Sequence, residues 1–315
     1  MSPTDTPPGA GPAGRPFPGV RPRAPALQPG DTVAVIAPAG PFDRESFDAG
    51  LEVLARRYRV RHDPGIFTRH RYLAGDDPRR LAELSGAFAD PEIKAVFCAR
   101  GGYGCTRLLA KLSDVTSPKP LVGFSDITAL HQWLLRQGHV SIHGPVLTQL
   151  GCQPPEVHER LFSLLESPSP PAPLHGTRTC VSGSAEGPLV GGNLSVLVSL
   201  LGTPWMPPLD GAVLLLEDVG ERPYRLDRMW THLELAGVFG RIRGIVLGSF
   251  ARCEERDASY TSEEVLAELA AATGLPCAAG FPIGHGEINH PVPLGVPVRL
   301  DADARRLSFI EAAVS

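Results

Sequence analysis

The stretch Leu121-Val-Gly-Phe-Ser-Asp-Ile-Thr-Ala-Leu130 runs from a short apolar strand through a tight corner into a helix whose apolar face is Ile127, Leu130 and Leu134. The same order of strand, turn and helix recurs outward from it. Thr32 to Ala37 reads as a buried strand closed by a turn at Pro38 to Pro41, and Phe47, Leu51, Leu54 and Tyr58 follow at helical spacing. Leu81, Leu84 and Phe88 repeat the period after Pro78, and Ile93 to Ala99 forms another apolar run. Arg100-Gly-Gly-Tyr-Gly104 then opens a further apolar helix. This alternation predicts an α/β N-terminal domain over residues 30–152, built on a parallel sheet with helices on its faces.

Composition marks the edges of that unit. Residues 1–29 are crowded with Pro, Gly and Ala and lack the apolar centre of a secretory signal, so they are expected to form a disordered tail. Gln153-Pro-Pro and Ser167-Pro-Ser-Pro-Pro-Ala-Pro173 flank a short periodic stretch at Leu161, Leu164 and Leu165, which places an interdomain connection over 153–188. Beyond it, Ala212 to Leu216 and Ile245 to Gly248 read as strands around a helix from Arg225 to Leu235, and Val292 to Phe309 as β structure. A mixed, β-rich C-terminal domain is expected over 189–315.

The 315 residues are 43% hydrophobic and 20% charged, as in a globular protein, and no apolar run approaches the ~20 residues that cross a bilayer. A formal net charge of −4 offers no general attraction to nucleic acid or anionic lipid. The six cysteines show no C-x-x-C spacing, so reduced thiols in a cytoplasmic protein are expected.

Four segments carry possible chemistry. Ser125 sits on the strand-to-helix corner, where a hydroxyl is pushed clear of the sheet and the next amide lies at a helix N-terminus; G-x-S-x-G is half met, since Ile127 replaces the second glycine. The competing reading is a helix N-cap by Ser125 or Asp126. Gly101 and Gly102 allow close backbone approach and could complete an oxyanion hole or simply turn the chain, without the spacing of a nucleotide loop. Glu217 closes a buried strand ahead of Asp218 and Glu221, either a site acid or a solvated one. His285 lies between two glycines in Phe281-Pro-Ile-Gly-His-Gly-Glu-Ile-Asn-His290. A metal set of His285, Glu287 and His290 has the wrong spacing, and His131 and His143 are rival bases to Ser125.

Taken in order, Tyr72-Leu-Ala-Gly-Asp76, Cys98 to Gly104, Gly123-Phe-Ser-Asp126, Gly191-Gly-Asn-Leu194, Leu216 to Glu221 with Tyr224 to Arg228, and Gly284-His-Gly286 resemble the LD-carboxypeptidase family of serine peptidases. That family includes the microcin C immunity peptidases. The resemblance spans about Gly30 to Phe309 and implies a flavodoxin-like first half, a site in the cleft between the halves, and a homodimer. It implies Ser125 as nucleophile, Glu217 as orienting acid and His285 as general base, with Gly101, Gly102 and the Asp126 amide as oxyanion hole. It also implies hydrolysis of the bond between a diamino acid and a terminal D-alanine in murein tetrapeptide, with no metal or organic cofactor. Arg100, at the mouth of the glycine turn, is the candidate for the terminal carboxylate, or a scaffold residue bridging to Asp126. Two other functions compete. One is an amidase acting on a peptidyl-nucleotide, with Trp205 as its aromatic platform; the other is a silent murein-peptide or nucleotide binder using Arg100-Gly-Gly-Tyr-Gly104 alone.

Overall fold

The structure, a computed structural model, describes residues 23–315. Five strands build the first sheet in parallel: β1 (Thr32–Ile36), β2 (Arg59–Arg61), β3 (Ile93–Cys98), β4 (Leu121–Gly123) and β5 (Ser141–His143). They are wrapped by α1 (Arg44–Ala55), α2 (Asp77–Ala89), α3 (Thr128–Leu135), α4 (Leu147–Leu150) and α5 (Pro155–Glu166). Asp43 and Asp76 start α1 and α2 by accepting the N–H of Ser46 and Arg79. The order β2-β1-β3-β4-β5 is flavodoxin-like, and the chain reverses direction of growth between β1 and β3.

The second sheet holds β6 (Leu174–His175), β7 (Arg178–Val181), β8 (Ser184–Asn193), β9 (Val213–Val219), β10 (Gly244–Ala251) and β11 (Cys277–Ala279). Helices α6 (Leu194–Ser199), α7 (Pro223–Leu235) and α8 (Ser262–Thr273) connect or cover them. Strand β12 (Val292–Leu294) returns to the first sheet and pairs antiparallel with β5, before β13 (Pro297–Asp301) and β14 (Arg306–Phe309) complete the second. In that sheet β8, β9, β10 and β11 run parallel, so their carboxyl ends share one edge.

Three sequence expectations change. The connection drawn over 153–188 is shorter, because the leucines of α5 pack into the first core and β6, β7 and the start of β8 belong to the second sheet. The proline-rich run from Ser167 to Pro173 is the irregular crossing itself. Of the tail drawn over 1–29, residues 1–22 lie outside the described residues, whereas Leu27 is 1% exposed and its N–H donates to the Leu165 carbonyl at 2.8 Å. One leucine finding a slot against α5 is invisible to a window average of composition. The helix expected after Gly104 is a pair of 3-10 turns, Cys105–Arg107 and Leu109–Lys111. Its first groups are taken: Arg80 donates to the Gly104 carbonyl at 2.9 Å, and the Asp126 carboxylate accepts the Cys105 N–H at 2.8 Å.

Candidate active site

Ser125 follows β4 with φ +64°. That left-handed conformation costs a non-glycine residue roughly 1–2 kcal/mol, and its presence at a corner is the strain expected of a nucleophile elbow. Phe124, 2% exposed, anchors the corner by accepting the Ile127 N–H at 3.2 Å. No side chain caps the Ser125–Ile127 turn or α3, so the N-cap reading of Ser125 and Asp126 does not hold. The Asp126 side chain is 3% exposed and serves Cys105 instead, and burial pushes its carboxyl pKa up.

The glycine turn lies against this corner. A Cβ on Gly101 would stand 2.8 Å from the Ser125 Cβ and 2.9 Å from its Oγ, so only glycine fits. Gly102 has φ +105°, and the Gly101 carbonyl accepts the Gly40 N–H at 2.9 Å across the switch point between β1 and β3. Buried Arg80 ties the two loops together by donating to the carbonyls of Pro38 and Gly104. Arg100 is exposed and donates to the Pro41 carbonyl; it does not bridge to Asp126, whose carboxylate is occupied.

From the second sheet, β9 delivers Glu217 fully buried, with Oε2 2.6 Å from His285 Nδ1. Gly284 makes room, since a Cβ there would meet Oε2 at 2.4 Å. With Nδ1 turned to the carboxylate, Nε2 is the nitrogen left for chemistry. The His285 ring packs 4.5 Å from the ring of Phe124, which brings the imidazole to the residue preceding Ser125. Neighbouring Asp218 does other work: it accepts from Asn193 Nδ2 at 3.0 Å, Val219 N at 2.8 Å and Ser195 N at 2.8 Å, fixing the start of α6. Burial raises its pKa to about 6. Glu221 pairs with Arg225 at 3.3 Å in solvent.

Asn289 and Gln153, neither of them evident from the sequence, hold the histidine loop. Asn289 Oδ1 accepts the Gly284 N–H at 2.9 Å, while Gln153 accepts the Asn289 N–H at 2.9 Å and donates to the Glu287 carbonyl at 3.2 Å. Since Gln153 follows α4, the first part of the chain clamps a loop of the second. Polar Gln and Asn flanking a glycine-rich loop are weak signals, because their meaning lies in contacts more than a hundred residues apart.

The rival groupings do not assemble. His131 is buried between Ser141 Oγ and the Gly123 carbonyl, both at 2.8 Å, and burial lowers its pKa to about 4. His143 is buried too, and its pKa is pushed well below that of a free imidazole, by desolvation first and then by the neighbouring histidines His131 and His285. His285 faces Glu217 rather than Glu287 or His290, and among the described residues no group of three His, Cys, Asp or Glu could hold a metal ion. Trp205, half-buried under the Arg136 guanidinium at 5.2 Å, lines a cavity of about 480 Å³ that also touches Gly102, Tyr103 and Asp126. Among the described residues no helix is long and apolar enough to cross a membrane.

A serine on a strained corner, next in the chain to the Phe124 ring that packs on a carboxylate-paired imidazole, has the parts of a hydrolase of the acyl-transfer class. Comparison with known proteins gives the family. A model of the LD-carboxypeptidase N-terminal domain matches residues 33–144, and one of its C-terminal domain matches residues 186–300. The chain belongs to the LD-carboxypeptidase family of serine peptidases. It is 39% identical over 297 residues to the murein tetrapeptide carboxypeptidase of Pseudomonas aeruginosa, covering 87% of this chain and 94% of that one. The crystal structure of muramoyltetrapeptide carboxypeptidase from Oxalobacter formigenes superposes with a TM-score of 0.80 at 31% identity, covering 88% and 97% of the two chains. The microcin C7 self-immunity protein MccF in complex with aspartyl sulfamoyl adenosine gives 0.83 at 25% identity, covering 93% and 99%.

Proposed function

We propose that this chain is a serine carboxypeptidase that hydrolyses the bond between the L-centre of a diamino acid and the terminal D-alanine of murein tetrapeptide, in cell-wall recycling. His285 Nε2 removes the Ser125 proton as Oγ attacks the scissile carbonyl. The amides of the Gly101–Gly102 turn and of Asp126 receive the negative charge on the carbonyl oxygen. His285 then passes its proton to the departing amine of D-alanine, leaving an acyl-enzyme that water cleaves by the same steps in reverse. Glu217 holds the imidazole tautomer and offsets its transient positive charge. Arg100 takes the terminal carboxylate of the substrate. The enzyme works in the cytoplasm as a homodimer.

The observation that carries this reading is the 2.6 Å contact between Glu217 and His285, with the imidazole packed on Phe124 beside the strained Ser125. A second reading, an amidase acting on a peptidyl-nucleotide, is favoured by the placement of Trp205 in the cavity next to Gly102 and Asp126. Incubation with murein tetrapeptide and with an aminoacyl-nucleotide, followed by mass spectrometry, separates the two. Release of D-alanine and a tripeptide is expected; cleavage of the nucleotide conjugate alone overturns the first reading in favour of the second.

A further inference from the structure

Away from the proposed triad, two thiols meet at the edge of the second sheet. The edge strand β7 runs antiparallel to β11, with Val181 opposite Cys277 and Thr179 opposite Ala278. Cys180 is therefore the extra residue of a bulge, and together with Val181 it stands against Cys277. Residues that face each other across antiparallel strands lie about 4.5–5.5 Å apart at Cα, within the span of a disulfide. The two side chains are in hydrogen-bonding contact, and both cysteines are free. They differ in access. Cys180 is half-buried on the edge strand, whereas Cys277 is fully buried on β11, between β7 and β10. They differ in acidity as well. The contact with Cys277 holds the Cys180 thiol below the ordinary cysteine value; burial opposes this, the Arg178 guanidinium on the same strand adds to it, and Glu263 in the first turn of α8 works against it. The same contact, followed by burial, pushes the Cys277 thiol up. Burial also raises the thiols of Cys98, Cys105 and Cys253.

A thiolate is the form that oxidants attack, and a second thiol within reach converts the first product into a disulfide. We propose that Cys180 and Cys277 form a reversible dithiol–disulfide modification site, in which Cys180 reacts with a hydroperoxide and Cys277 resolves the product. The Cys180 thiolate attacks the terminal oxygen of the hydroperoxide and the O–O bond breaks; the departing alkoxide or hydroxide takes up the proton that Cys180 gave up. Cys277 sulfur then attacks the Cys180 sulfenic acid. The S–S bond forms, the S–O bond breaks, and hydroxide leaves as water with the Cys277 proton. The two cysteines lose two electrons and the hydroperoxide gains them. The bond would fasten the edge strand to the segment that leads into the His285 loop, because β11 continues through Phe281 to His285. That junction is already tight, since the Thr177 N–H just ahead of β7 donates to the Ala279 carbonyl at 2.9 Å. The inference stands apart from the carboxypeptidase reading.

The test treats the full chain, reduced and then freed of reductant, with stoichiometric hydrogen peroxide and maps it by mass spectrometry without further reduction. The expected product is about 2 Da lighter, with the peptides of Cys180 and Cys277 joined, and dithiothreitol should restore both thiols. Cys277→Ser should stop the reaction at a Cys180 sulfenic acid, about 16 Da heavier and trapped by dimedone, and Cys180→Ser should leave Cys277 reduced. Cys152 supplies the competing outcome, because among the described residues it is the exposed cysteine. If exposure alone governed reactivity, Cys152 would be oxidised first; the proposal requires joined peptides at a peroxide dose that leaves Cys152 unmodified. The wild-type map decides the matter by itself where a variant misfolds, which its thermal midpoint reports. Oxidation confined to Cys152, or a Cys180 sulfenic acid that Cys277 leaves unresolved in the wild-type chain, overturns the proposal. Failure to hydrolyse murein tetrapeptide bears only on the carboxypeptidase reading.

Discussion

Ser125 holds a left-handed backbone that no side-chain hydrogen bond supports, so its hydroxyl adds little to the fold. Ser125→Ala should abolish turnover of tetrapeptide and leave the thermal midpoint nearly unchanged, while Ser125→Gly, freed of the φ strain, should be equally inactive and no less stable. A loss of about 0.5–2 kcal/mol in the alanine variant, the cost of a missing cap, would return the residue to a structural role. The two adjacent acids separate in the same way. Glu217→Gln should lower kcat by orders of magnitude, because an amide cannot offset an imidazolium and can favour the wrong tautomer. Asp218→Asn should chiefly cost stability, of order 1–3 kcal/mol, because an amide cannot accept the three N–H groups that now converge on the carboxylate. Kinetics and denaturation of both variants decide it, and the reverse ranking would move the acid role to Asp218. Ser125, Glu217 and His285 each sit at a strand end or glycine turn that local sequence marks, but only the family resemblance singles them out from their rivals. Arg80 and Gln153 carry no such mark, because each matters through a partner distant along the chain, and Asn289 is held in place by Gln153.

Elements with strong periodicity, such as α1, α2 and α7, stand where the spacing of their apolar residues puts them. Strand β8 is the opposite case, a ten-residue strand containing Gly187, Pro188, Gly191 and Gly192. A Cβ on Gly191 would lie 2.1 Å from the Leu215 carbonyl and one on Gly192 2.6 Å from Thr128 Oγ1. Tertiary contact therefore demands the residues that local propensity counts against a strand. Helix α8 begins at a reciprocal cap between Thr261 and Glu264. Helix α3 carries a further consequence, since all eight of its residues are buried and His131 is among them. The fold holds that imidazole neutral down to about pH 4, against 6.5 for the free group. As pH falls through this window the unfolded chain binds a proton that the folded chain refuses, so stability present above pH 6.5 is lost toward pH 4, by up to roughly 3 kcal/mol. His143 acts with the same sign. The thermal midpoint of the wild-type protein should decline over this range more steeply than that of His131→Gln, and identical slopes would place the acid lability elsewhere.

On the scale of the whole molecule, β12 joins the two parts more closely than a linker could. Its backbone pairs with β5 in the first sheet, while Val292 and Leu294 point their side chains into the core of the second. Near the other end of the chain, Ala313 lies in the first core and the Ser315 N–H donates to the Ala24 carbonyl at 2.9 Å. No reading of local sequence anticipates this, because a three-residue strand has no period and its partner lies about 150 positions earlier. Two parts locked in this way should unfold together. Trp133 reports on the first part and Trp230 on the second, and replacing Trp205 and one of these two by Phe leaves a single probe in either core. Denaturation followed through Trp133 and through Trp230 should then give coincident transitions. Leu294→Ala removes a fully buried side chain and should cost about 2–5 kcal/mol, felt equally by both probes although the lost contacts belong to one core. A mutation that shifts the Trp230 transition and leaves the Trp133 transition in place would mean that the parts fold independently and that β12 is only a surface seam. Coincident shifts would also explain how the serine proposed as nucleophile in one sheet and the acid and base proposed from the other can keep their mutual geometry without a disulfide between the parts, since neither half can loosen while the other stays folded.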